Sequence, residues 1–140
     1  MTQVIIYSQN GQVAVCIPTG EMSIEEVKAK DTPEGSIIVD DSTLPNADGD
    51  FFNAWELNGS TVSVNITKAV AQQQAVLNAL AKTEANHRAT NTGAGIANKL
   101  ADADWLDLLT TARTAVASAT STQGLRDAIA PVQASIAANE

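Results

Sequence analysis

Aromatic residues make up only 4% of this 140-residue chain, and there is one cysteine, one histidine and eight Lys or Arg residues. Each shortage excludes something. A single Cys16 closes no intrachain disulfide, and its apolar neighbours Val15 and Ile17 suggest a buried small hydrophobe in a reducing compartment. Phosphate binding needs clustered Lys and Arg, yet the longest basic feature is Lys28 with Lys30 and the net charge is -8, so no nucleic-acid partner is expected. No apolar run approaches the roughly 20 residues of a membrane span, so no membrane insertion is expected either. The first residues lack the basic start of a signal peptide, which makes folding in a cytoplasm the default expectation.

What is present is divided unevenly. Met1 to Asn65 holds ten acids and two bases, whereas Ile66 to Glu140 holds six of each. The first part carries short Val/Ile/Tyr/Phe runs that read as strands, and the second is Ala-rich with helical spacing. These features predict an α+β chain: a small antiparallel β-rich module with one short helix over 1–65, then about three helices over 66–140. Ala buries little area, so the helical region is expected to be thinly cored and completed by a partner surface.

Gln3–Tyr7 and Gln12–Ile17 flank Asn10-Gly11, a pair that supplies the positive φ angles of a tight hairpin. Ser23 with Glu26 forms a capping-box pattern that opens a short helix, closed near Asp31-Thr32-Pro33. Ser36–Val39 predicts a third strand. Phe51–Leu57 and Thr61–Asn65, joined through Asn58-Gly59-Ser60, predict a second hairpin, with Phe52 and Ala54 on one face and Phe51, Trp55 or Leu57 on the other. From Ile66 the spacing of Val70, Gln73, Leu77, Leu80 and Glu84 predicts a helix to about Asn86 or His87. Ala89–Gly95 reads as a break before a second helix that starts near Ile96 or at an Asp102 cap. That helix carries Trp105, Leu108, Leu109, Ala112 and Val116 as a stripe. A third helix follows with Leu125, Ile129 and Val132, kinked or restarted at Pro131.

No catalytic constellation emerges. The acidic loop Asp40–Asp50 offers oxygen ligands, but its glycine falls too early and Leu57 stands where an EF-hand needs glutamate, so a solvated turn is the stronger reading and no metal or cofactor is assigned. Thr92-Gly93-Ala94-Gly95 lacks the Lys-Ser/Thr pair of a phosphate loop and reads as a linker. His87 has no second ligand nearby except Glu84 and Asn91 and reads as a surface histidine. A partner-facing helix is expected to use Val70, Gln73, Leu77 and Leu80, with Trp105 and Leu109 as anchors. Gln73 then forms a polar layer between copies of a homo-oligomer; the rival reading packs the same residues within one chain.

Ordered phrases in the first half carry a resemblance: Ile5-Ile6-Tyr7, Ile17-Pro18-Thr19-Gly20-Glu21, Lys30-Asp31-Thr32-Pro33-Glu34-Gly35, Phe52-Asn53-Ala54-Trp55-Glu56 and Val64-Asn65-Ile66-Thr67-Lys68-Ala69. Over residues 3–69 the chain resembles a family of small tailed-bacteriophage proteins associated with tail and tail-fibre genes. The resemblance implies a non-enzymatic virion or assembly role, other phage tail proteins as partners, and residence in the virion tail after assembly in the host cytoplasm. It carries over no catalytic residue. Where that family continues into an Arg-rich helix, this chain has a neutral Gln/Ala-rich one. An adaptor in the tail and a transient fibre-assembly chaperone are the two roles it suggests.

Overall fold

The computed structural model describes residues 2–139 and divides into two compact units, Met1–Asn65 and Ile66–Glu140. The first is built on strands. β1 (Gln3–Gln9) and β2 (Gln12–Cys16) form the expected hairpin, with Gln9 paired to Gln12 across Asn10 and Gly11 at φ 54 and 76. Positive φ at both turn positions suits the right-handed twist of the strands, and the Asn-Gly pair reaches it at little cost. β3 (Ile37–Asp40) pairs with the other edge of β1, giving the antiparallel order β2-β1-β3. Between them α1 (Ile24–Asp31) starts at Ser23, whose hydroxyl oxygen accepts from the Glu26 amide at 3.3 Å.

β4 (Trp55–Asn58) and β5 (Thr61–Val64) form a second two-stranded sheet turned at Gly59, φ 63. Val4, Ile6 and Val13 of the first sheet pack with Leu44, Trp55 and Val62 into one core. Ile5, which alternation sends to the opposite face of β1, is also fully buried. β1 is therefore a central strand covered on both sides, with α1 packed on it.

Two details differ from the sequence reading. Asn46–Ala54 is short 3₁₀ helix kinked at Asp48 and Phe51 rather than strand at its end, and Phe51 and Ala54 are both buried instead of alternating across a sheet. Cys16 is only half-buried, because it ends an edge strand and Ile17 beside it is 69% exposed. At the start of the 40–50 loop the Ser42 amide donates to Asp40 at 2.8 Å, and the Ser42 hydroxyl and amide together hold the Asp40 carboxyl below its ordinary 3.8.

The second unit holds α2 (Ile66–Gly93), α3 (Asp102–Ser118) and α4 (Thr122–Ala138). α2 runs beyond the expected end at Asn86 or His87, through what reads as a break. It stops in a Schellman motif: Gly95 takes φ 73, its amide donates to Thr92 O at 3.2 Å, and the Ile96 amide reaches Asn91 O at 2.8 Å. α3 is capped at Ala101 without a side-chain bond, so Asp102 is its first helical residue and serves the positive end of the dipole rather than the cap. α4 is one helix through Pro131.

The unit fills its own interior. Leu77, Trp105, Val116, Leu125 and Val132 are each at most 4% exposed, and Gln73 is buried with its amide donating to Leu125 O at 3.0 Å. Within the single chain, these side chains already form a buried core. The interior that Ala leaves thin is occupied by Trp105 and by polar side chains of α2 that find partners on α4 and its neighbouring loop.

Candidate functional site

Four of the six buried residues of α2 are polar or charged: Gln73, Glu84, Arg88 and Asn91. The last three sit at one end of the helical unit, spaced so that a 3.6-residue turn brings them to the same face. Glu84 has no solvent exposure. Its Oε1 lies 3.1 Å from Arg88 Nε and accepts from Asn139 Nδ2 at 2.8 Å. Arg88 Nη1 donates to Leu100 O at 2.7 Å and to Asp102 Oδ1 at 2.9 Å, and its guanidinium lies 5.4 Å from the Trp105 ring centroid.

Asn139 is fastened on every side. Its Nδ2 also reaches Asn98 Oδ1 at 3.2 Å, its Oδ1 accepts from the Lys99 amide at 2.9 Å, and its carbonyl meets His87 Nε2 at 2.7 Å. Asn91 Nδ2 donates to Asn98 Oδ1 at 2.9 Å. His87 is therefore half-buried and bonded, not a free surface histidine. The network ties the 94–101 loop, the end of α4 and the start of α3 to the last turns of α2. Three buried atoms of this network, Glu84 Oε2, Arg88 Nε and Arg88 Nη2, have no hydrogen-bond partner, so the 3.1 Å Arg88–Glu84 contact is an ion pair without hydrogen-bond geometry.

Chemically this is a clamp. Glu84 is closed to solvent and cannot hand a proton to a substrate, and its charge is matched by a cation one helical turn away. What faces outward beside the clamp is an apolar hollow of about 690 Å³, lined by Ala85, Ala89 and Gly93 of α2 and by Trp105 and Leu106 of α3, with Arg88 and Asp102 at its end. Leu106 is 58% exposed.

The six residues expected to face a partner are placed differently from one another. Gln73, Leu77, Trp105 and Leu109 are buried inside the helical unit, and Val70 and Leu80 are half-buried. Of these, Trp105 lines the large hollow and Leu77 a smaller one of about 240 Å³ with Gln74, Asn78 and Arg113. Sequence reasoning missed Leu106. The signal was there: it lies off the Trp105, Leu109, Ala112, Val116 stripe, and a leucine off the stripe of an amphipathic helix must be exposed.

Among the described residues no group of three or more His, Cys, Asp or Glu side chains could hold a metal ion, and no helix is long and apolar enough to cross a membrane. Comparison with known protein families, curated proteins and solved structures finds no match to this chain.

Proposed function

We propose that the chain is a non-enzymatic accessory protein of a bacteriophage tail, an adaptor that joins tail, baseplate or fibre components. The observation that carries the reading is the division of the chain into two units of opposite character. An acidic module with its own sheet core ends at Asn65, and an electrically neutral helical unit with its own core begins at Ile66. One partner can be held by each. The acidic module favours a basic surface through long-range attraction, and the neutral unit offers an apolar hollow. The resemblance of residues 3–69 to proteins of tail and tail-fibre genes supplies the class of assembly. No catalytic residue is assigned, since the buried carboxylate and guanidinium are spent on each other.

Mass spectrometry of purified particles of the virus that encodes the chain tests this directly. The adaptor reading expects its peptides at structural abundance. Absence from the particle, with recovery from infected cells bound to a fibre protein, overturns it in favour of a transient assembly chaperone.

A further inference from the structure

The two hollows of the helical unit follow one another along a single seam between antiparallel α2 and α3. Gln74 and Asn78 neighbour Arg113 in one, and Ala85 to Gly93 neighbour Leu106 and Asp102 in the other. The α2 wall of the larger hollow is low where Ala85, Ala89 and Gly93 recur every four residues and carry little side chain, with Arg88 and Thr92 beside them. Along the α3 side of the seam, Asp102 and Leu106 border the larger hollow with Trp105 and Arg113 borders the smaller; Asp102, Leu106 and Arg113 are four and seven residues apart and so on one edge of that helix.

That edge is self-complementary when reversed. A two-fold axis placed between Asp107 and Leu108 sets Asp102 of one copy opposite Arg113 of the other, and the reverse pair at the far end. The two pairs stand about 16 Å apart along the helix at 1.5 Å per residue. Leu106 of each copy falls beside the axis, within reach of the other's low α2 wall. The charges are available for this. The Asp102 side chain is 82% exposed with one oxygen held by Arg88, and Arg113 is exposed with no ion pair in its own chain among the described residues. The unit as a whole has six acids and six bases, so copies can approach here without the repulsion that the acidic module would impose.

We propose that two copies of this chain pair through the α2–α3 seam, α3 antiparallel to α3, with Leu106 at the centre and reciprocal Asp102–Arg113 pairs at the ends. An isologous contact of this kind uses the same patch on both partners and closes on itself. The pairing rests on the helical unit alone and stands whether or not the chain belongs to a tail.

Sedimentation of the full chain across a concentration range tests it. The expected mass rises from 14.6 kDa toward twice that value. Leu106→Glu and Arg113→Glu, both at exposed positions and checked for retained helicity by circular dichroism, each raise the dissociation constant by at least about tenfold. In a Cys16→Ser background, Leu106→Cys forms an oxidised dimer, whereas Gln133→Cys on the exposed side of α4 does not. A chain that stays monomeric to about 1 mM overturns the pairing and leaves the seam to a different protein. A dimer indifferent to both charge substitutions, or one cross-linked equally from Gln133, also overturns it.

Discussion

A carboxylate with no exposure has to be held by something, and Glu84 is held by Arg88 and Asn139. Glu84→Ala removes the buried counter-charge of the Arg88 guanidinium, itself only 7% exposed at the side chain, and leaves it only the solvent-exposed Asp102 as an acidic partner. Leaving a buried charge wholly uncompensated costs about 3–5 kcal/mol, and with Asp102 still paired to Arg88 the loss falls below that ceiling, measured as a lower urea midpoint. If Glu84→Ala unfolds at the wild-type midpoint, the clamp is not a stabilising element. Periodicity placed Glu84 on the inward face of α2, but Arg88 and Asn91 on the same face went unread. Hydrophobic spacing weighs apolar side chains, and it is silent about polar ones that are buried because they bond to each other. Asn139 was out of reach for a second reason, since its partners lie 40 to 55 positions away in the chain.

Elements were legible where a local residue type dictates the backbone. Asn10-Gly11 and Gly59 made both hairpins visible, and Ser23 with Glu26 marked the start of α1. The end of α2 was misread because Thr90, Asn91, Thr92 and Gly93 are weak helix formers, yet Arg88 and Asn91 anchor those last turns from outside the helix. Gly95, not the threonines, is the stop. No atom lies within 4 Å of a Cβ built there, so Gly95→Ala costs only the left-handed backbone, about 1–2 kcal/mol, and thermal unfolding should show a lower midpoint. An unchanged midpoint would mean that the Schellman bonds of Gly95 and Ile96 contribute little. Phe51–Ala54 failed for a different reason. Four residues are too few to distinguish a period of two from a period of three, and the backbone there is short 3₁₀ helix kinked at Phe51.

For the whole molecule, charge and texture change together at residue 65, and the chain divides into its two compact units at that same position. The outward seam was not legible, because it is made by α2 and α3 side by side and by small residues that no pattern singles out. Each unit contains one of the two tryptophans, Trp55 in the strand module and Trp105 in the helical unit, and both are nearly fully buried. Fluorescence of the single-tryptophan variants Trp55→Phe and Trp105→Phe therefore reports on each core separately during urea unfolding. The account predicts that adding Glu84→Ala lowers the midpoint seen by Trp105 and leaves that seen by Trp55 in place. One transition common to both tryptophans, displaced equally by Glu84→Ala, would contradict two separately cored units and the adaptor built on them.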